Sequence, residues 1–200
     1  MNDKLLSRVG HMLNACKTPI VIAFDGPSGS GKSTLARELA AHTVATIVPT
    51  DDFFSAKLSA ADWDVRSAAE RARDALDWQR LRQLALEPLR AGRPGMWYPF
   101  DFAAGERPDG SYPMCATAAR REPAPLVILE GAYSARPELA DLIDLAVLID
   151  APAPVRHQRL AAREQQDFLE AWHRRWDGAE AFYFTEVRPP ESFDLVIDTA

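Results

Sequence analysis

The stretch Ile20-Val21-Ile22-Ala23-Phe24-Asp25-Gly26-Pro27-Ser28-Gly29-Ser30-Gly31-Lys32-Ser33-Thr34 decides how the chain is read. An apolar run of strand character precedes Asp25, and a helix-forming run with Leu35 and Leu39 on its buried face follows Lys32. Between them stands Gly-x-x-x-x-Gly-Lys-Ser, a loop built to cradle phosphates. Gly26, Gly29 and Gly31 have no Cβ, so the backbone can turn tightly and aim successive N–H groups inward. The helix starting near Lys32 adds its unpaired N–H groups and the positive end of its dipole. Lys32 is spaced to reach the β- and γ-phosphates, and the Ser33 hydroxyl to ligate Mg²⁺. Ser28, Ser30 and Thr34 line the same loop. A loop that merely caps a helix needs neither the lysine nor three spaced glycines. The stretch therefore predicts binding of a nucleoside triphosphate with Mg²⁺.

Two hundred residues suit one domain with a sizeable core, perturbed at most by an insertion. Apolar residues make up 47% and charged residues 26%, the balance of an ordinary globular protein. The formal net charge of −6 argues against nucleic acid or a membrane surface as partner. The basic residues are 19 arginines and only 4 lysines, which makes Lys32 conspicuous. Cys16 and Cys115 are the only cysteines, too few for a disulfide framework or a zinc site, and both read as plain buried or half-buried thiols. With no signal-peptide pattern and no membrane-length apolar run, the expected location is the cytoplasm. An assembly of identical chains stays open.

Residues 3 to 16 carry Leu5, Leu6, Val9, Met12, Leu13 and Cys16 at helical spacing. Strands are expected at 20–25 and 45–49, with a helix between them reaching about His42. Residues 55 to 92 read as two helical pieces separated at Asp77-Trp78, and residues 92 to 125 as loop with a short hairpin. Two apolar runs, 126–129 and 145–149, end in Glu130 and Asp150. A helix beginning near Pro154 is expected to carry Arg156, Arg159 and Arg163. Phe168, Trp172, Trp176, Ala179 and Tyr183 then recur at helical spacing, and 193–198 reads as a last strand. Strands alternating with helices predict an α/β fold, an about five-stranded parallel sheet covered on both faces. The divisions are a phosphate-binding core at 17–54, an inserted substrate-facing region at about 55–125 and an Arg-rich lid at about 152–167. Ligands then bind outside the carboxyl ends of the strands.

Asp51 and Asp52 follow the second strand, where a carboxylate can take the proton of a substrate hydroxyl or simply cap a turn. Glu130 and Asp150 both fit an acid that orients Mg²⁺, and their pattern does not choose between them. Gly131 lets the backbone pass close to the site. Arg156, Arg159 and Arg163 lie three and four apart, so they share one helix face, as a solvated face or as a lid over the transferring phosphate.

Together these pieces resemble the uridine kinase and phosphoribulokinase branch of the phosphate-loop kinases, over residues 20 to 198. The loop Asp25 to Thr34 is close to that family's. Thr50-Asp51-Asp52-Phe53-Phe54 is similar to its Asp-x-Phe-Tyr segment, which implies Asp51 as the catalytic base. Glu130-Gly131 resembles its Glu-Gly, implying that Glu130 and Ser33 hold Mg²⁺. Arg156-x-x-Arg159-x-x-x-Arg163-Glu164 resembles its lid motif, implying that Lys32, Arg159 and Arg163 offset charge on the γ-phosphoryl group. On the acceptor side the match is looser. Asp74-Ala75-Leu76-Asp77 is similar to a segment whose first Asp binds ribose hydroxyls. Phe100-Asp101-Phe102 stands where the family has Tyr-Asp-Phe, with Tyr98 out of register and Gly105 where its base-contacting His falls. Asp74, Tyr98, Phe100 and Arg156 are the implied substrate contacts. The resemblance implies an ATP- and Mg²⁺-dependent transfer to a hydroxyl of a small molecule, a nucleoside first. A nucleoside monophosphate kinase, with Arg66, Arg71, Arg73 or Arg107 on the acceptor phosphate, and a non-catalytic nucleotide switch are the alternatives. No lysine follows Asn or Thr, so the guanine-reading motif of a GTPase switch is missing.

Overall fold

The computed structural model describes residues 2–16, 18–163 and 166–199, with residues 166–168 described by backbone only. Of the features read from the sequence, Glu164 and the Phe168 side chain lie outside the described residues.

Helix α1 (Asp3–Ala15) opens on Asn2, whose side chain accepts from Leu5 N at 3.0 Å, and buries Leu5 and Val9. Strand β1 (Ile20–Asp25) leads through the glycine loop into α2 (Lys32–His42), and β2 (Ala45–Pro49) follows. The next segment breaks into more pieces than expected: α3 (Ala60–Val65), α4 (Ala68–Asp74), then α5 (Trp78–Leu81), which runs through a π segment at Arg82–Leu86 into α6 (Glu87–Arg90). The extra break comes from two capping boxes, Ser59 with Asp62 and Ser67 with Glu70. Each satisfies two otherwise orphaned N–H groups and starts a new helix at the second serine. Strands β3 (Gly95–Trp97) and β4 (Ala119–Arg121) form a separate antiparallel pair. Strands β5 (Leu126–Glu130) and β6 (Leu145–Asp150), helices α7 (Ala153–Ala161) and α8 (Gln166–Phe182), and strand β7 (Leu195–Asp198) complete the chain. The last strand starts two residues later than expected, because Pro190–Ser192 forms a 3₁₀ turn that delivers Phe193 to the core.

Among the described residues the main sheet has five parallel strands in the order β2-β5-β1-β6-β7. The buried strands send alternate residues to opposite faces. Ile20, Ile22, Phe24, Ile128 and Val147 meet Leu5 and Val9 of α1 and Leu35 and Leu39 of α2. Val21, Val48, Val127 and Leu129 meet Leu81, Leu86, Leu89 and Trp97 on the other face. The stretch from Trp78 to Trp97, within the region read as an inserted substrate-facing one, thus also covers the core. Asp144 ties that layer down: its Oδ2 accepts from Val21 N at 2.8 Å and from Arg90 Nη1 at 2.7 Å. No helix among the described residues is long and apolar enough to cross a membrane. Cys115 is half-buried as expected, whereas Cys16 is exposed and departs from the buried or half-buried thiol expected.

The register places Phe24 and Pro49 on either side of Glu130. Asp25, Thr50 and Glu130 therefore leave the sheet side by side at its carboxyl edge. Ile128, wholly buried between two neighbouring strands, is a sensitive point of this frame. Ile128→Ala should lower the unfolding free energy by about 2–5 kcal/mol without changing the denaturant slope, as read by urea titration.

Candidate active site

Asp25 is wholly buried where β1 ends. Its Oδ1 accepts from Gly26 N at 2.8 Å, and its Oδ2 from Ala135 N and the Tyr183 hydroxyl, both at 2.9 Å. Burial raises its pKa, while Ala135, Tyr183, Gly26 and the Lys32 charge pull it back down. From this anchor the loop turns. At Gly29, φ is 79° and a Cβ would stand 2.6 Å from the Arg156 carbonyl oxygen, so the residue type is set by backbone against backbone. Gly31, also left-handed, caps α2. Lys32 is buried and curls over the loop, its Nζ donating to Gly26 O at 2.8 Å and Pro27 O at 3.0 Å. Ser30 is buried with its hydroxyl unpartnered, and Ser33 and Thr34 are exposed in the first turn of α2. A cradle of this shape, with a helix N-terminus and one ammonium group, fits a polyphosphate.

The acids divide their work. Asp52 is engaged: its Oδ2 accepts from Trp97 Nε1 at 2.8 Å. Asp51 keeps an exposed surface, yet the protein packed around its carboxyl strips enough water to raise its pKa. Lys32 and then Arg163 oppose that rise, and Asp52 adds to it. Glu130 accepts from the Ser33 hydroxyl at 2.9 Å. Its pKa is also raised, by desolvation first, with Ser33 opposing and Asp51 reinforcing. Asp150 instead accepts from Ala151 N at 2.8 Å, a local turn contact. A hydroxyl and a carboxylate oxygen side by side at the mouth of the loop form a hard oxygen donor pair, which suits Mg²⁺ with its remaining waters. Gly131 (φ 140°), the next residue, lets Thr50 pack against the backbone there, since a Cβ would stand 1.8 Å from Thr50 Oγ1.

The arginines depart from the expected single face. Helix α7 ends at Ala161, so Arg163 lies in the turn beyond it while Arg156 and Arg159 lie within it. Arg163 nonetheless acts on Asp51 through its charge. Arg159 donates to Gly29 O at 3.3 Å and to Thr199 O at 2.6 Å, and Thr199 Oγ1 in turn donates to Ser30 O at 2.7 Å. Arg156 donates to Ala151 O at 3.1 Å and Ser28 O at 3.3 Å, so it braces the phosphate loop rather than the inserted region.

On the acceptor side, Asp74 is held by Arg66 and by a two-bond contact from Arg73 at 2.7 and 2.8 Å. Arg71 donates to the carbonyls of Trp63, Asp64 and Arg175. Phe100 is buried beside Phe54, Phe102 and Tyr112, whereas Tyr98 is 53% exposed and offers its carbonyl to Arg80. Phe54 also meets Trp63 and Trp176, so an aromatic cluster begins three residues after Asp51.

Glu180 was not singled out by sequence reasoning. It is buried, and its carboxylate accepts from Ser28 N at 3.1 Å and Ser28 Oγ at 2.6 Å. The signal was present: an acid one turn after Trp176 and three residues before Tyr183 sits on the buried stripe of α8. A carboxylate there requires a polar partner.

Comparison with known proteins supports the fold. A family model described as "AAA domain" matches residues 21–184. A uridine kinase from Latilactobacillus sakei is 28% identical over 89% of this chain and 80% of its own length. A cytidylate kinase from Pyrobaculum arsenaticum is 25% identical over 90% of this chain and 84% of its own. In three dimensions, a structure described as a possible uridine kinase from Bacillus stearothermophilus aligns with a TM-score of 0.65 at 18% identity, covering 98% of this chain and 100% of that one.

Burial raises the Glu180 pKa above its ordinary 4.5, with Ser28, Lys32 and Arg156 opposing. A carboxyl with a raised folded pKa stabilises the fold most below its unfolded pKa and loses that advantage as pH rises through the folded value. Glu180→Gln keeps an acceptor for Ser28 and removes the titration. The unfolding free energy of the parent relative to this variant should therefore fall as pH climbs from below 4.5 toward neutrality, measured by denaturant titration across pH.

Proposed function

The chain belongs to the AAA domain family, and from that premise we propose that it is an ATP- and Mg²⁺-dependent phosphotransferase acting on a hydroxyl of a small molecule. The observation that supports the reading is that Asp51 lies within electrostatic range of Lys32, Arg163 and Glu130, and that Glu130 accepts from the Ser33 hydroxyl. Base, cations and metal-holding oxygens thus converge on one end of the phosphate loop. Their arrangement suits a reaction that is mostly positioning and charge stabilisation.

The loop and Lys32 hold the β- and γ-phosphates. Ser33 and Glu130 would hold Mg²⁺, directly or through water, and the ion would supply positive charge to offset that on the phosphate oxygens. The acceptor hydroxyl attacks the γ-phosphorus, the bond to the β-γ bridging oxygen breaks, and ADP departs. Asp51 takes the hydroxyl proton. The raised pKa of Asp51 matches that task, since a base closer to neutrality receives the proton more readily. Arg159 and Arg163 stand at the loop and the base respectively, where charge develops as the phosphoryl group moves.

For the acceptor, a nucleoside is favoured over a nucleoside monophosphate. Arg66 and Arg73 are spent on Asp74, and Arg71 on backbone carbonyls, so of the four arginines that could meet an acceptor phosphate these three are already engaged and Arg107 remains. The aromatic cluster around Phe54 and Phe100 supports a planar, uncharged group near Asp51. Such a reaction, fed by the ATP of the cytoplasm, is where this reading places the protein.

Lys32→Ala should cost about 3–4 kcal/mol of barrier, a loss of 10²–10³ in kcat like that of other preorganised charge-stabilising groups, in a coupled ADP-release assay. Asp51→Asn should retain ATP binding by calorimetry while phosphoryl transfer falls by about 10²–10⁴. In the parent protein the acid limb of kcat/KM should lie above the ordinary aspartate value of 3.8, because the base must be ionised and its pKa is raised. A panel of nucleosides, nucleoside monophosphates and sugars with ATP decides the acceptor. Turnover with no hydroxyl compound, despite tight ATP binding, sinks the transferase reading in favour of a nucleotide switch.

A further inference from the structure

Helices α7 and α8 meet at a cluster that the phosphoryl-transfer reading does not use. His157 comes from α7, and His173 and Asp177, one helical turn apart, come from α8. His173 Nδ1 lies 3.0 Å from Asp177 Oδ1, and His157 Nε2 lies 3.9 Å from Asp177 Oδ2. The two imidazole centroids are 4.5 Å apart. One donor atom from each of the three side chains falls within 4.8 Å of the other two. The side chains are 46%, 27% and 41% exposed in the order His157, His173, Asp177, so an ion can reach the centre from solvent without the fold opening.

We infer that His157, His173 and Asp177 form a binding site for a divalent transition-metal ion of the Zn²⁺ class, and that the ion staples α7 to α8. Two imidazole nitrogens and one carboxylate oxygen are the donor set of a borderline-soft ion, whereas Mg²⁺ and Ca²⁺ take oxygen. Metal–ligand bonds of about 2.0–2.2 Å in a tetrahedral arrangement put neighbouring donors about 3.3 Å apart. The His173–Asp177 pair already meets that spacing, and the half-exposed His157 side chain needs to close by roughly an ångström. The i, i+4 placement on α8 puts two ligands on one helix face. A fourth position stays open for water. A plain ion pair accounts for His173 against Asp177. It does not account for a second imidazole arriving from another helix at the same carboxylate.

The position gives the ion a consequence. Helix α7 carries Arg156 and Arg159, which touch Ser28, Gly29 and Thr199. Helix α8 carries Glu180, three residues beyond Asp177, which grips Ser28. An ion joining His157 to Asp177 therefore fixes the helix that bears the arginines against the helix that holds the phosphate loop.

The test is titration of the chelator-stripped full chain with Zn²⁺ in excess Mg²⁺, followed by calorimetry. The four histidines permit a clean division, since His11 and His42 lie on α1 and α2. The parent and His11→Asn/His42→Asn should each take up one equivalent, and His157→Asn/His173→Asn should bind at least about 10-fold more weakly. Asp177→Asn should weaken binding likewise. Co²⁺ in place of Zn²⁺ should give visible absorption bands that the His157→Asn/His173→Asn protein lacks. Zn²⁺ should raise the melting temperature of the parent and not of that variant, provided both melt cooperatively in its absence. Absence of Zn²⁺ uptake by the parent, or equal uptake and stabilisation in the His157→Asn/His173→Asn protein, overturns the assignment.

Discussion

The buried carboxylate of Asp25 is the contact on which the rest of the site depends. It ends β1, starts the glycine loop through Gly26 N, fixes the segment after β5 through Ala135 N, and receives the Tyr183 hydroxyl from the end of α8. Three remote parts of the chain are thereby tied to one pair of oxygens. Hydrogen bonds to a charged group contribute about 1.5–3 kcal/mol each, and an isolated buried carboxylate would be costly enough to neutralise itself. The three hydrogen bonds and the Lys32 charge oppose the desolvation of Asp25.

Around that anchor the charges follow a common logic. Asp25, Asp51, Glu130 and Glu180 are all pushed toward the protonated form by burial, and Lys32 opposes the push at each of them. One ammonium group thus serves four carboxyls from the centre of the loop. Glu180 and Arg156 both grip Ser28, one at its N–H and hydroxyl and the other at its carbonyl, and lie 3.9 Å from each other.

Much of this was legible in residues 20 to 34, because backbone conformation there is dictated locally by glycine and by the strand and helix that flank it. The β strands were legible for the same reason: continuous apolar runs ending in an acid have few other uses. The helical pieces after residue 55 were read too coarsely, although Ser59-x-x-Asp62 and Ser67-x-x-Glu70 are local signals for the break. Arg163 was placed on a helix that stops two residues earlier, and helix ends depend on packing that spacing does not reveal. The choice of Asp51 over Asp52 came from family resemblance. In the fold, Trp97 occupies Asp52 from a strand 45 residues away, a contact that no local pattern announces.

The amino-acid sequence by itself determined the phosphate loop, the parallel α/β layering and the end of the sheet at which the acids gather. Each of these follows from short-range rules: glycine's conformational freedom, the period of apolar residues, and the alternation of strand with helix. Only the tertiary structure decided which acid is held and which faces the loop, that Glu180 and Arg156 clamp Ser28, and that His157 meets His173 and Asp177. Those are contacts between elements far apart in the chain, and their distances are set by how α7 and α8 pack rather than by anything within one segment.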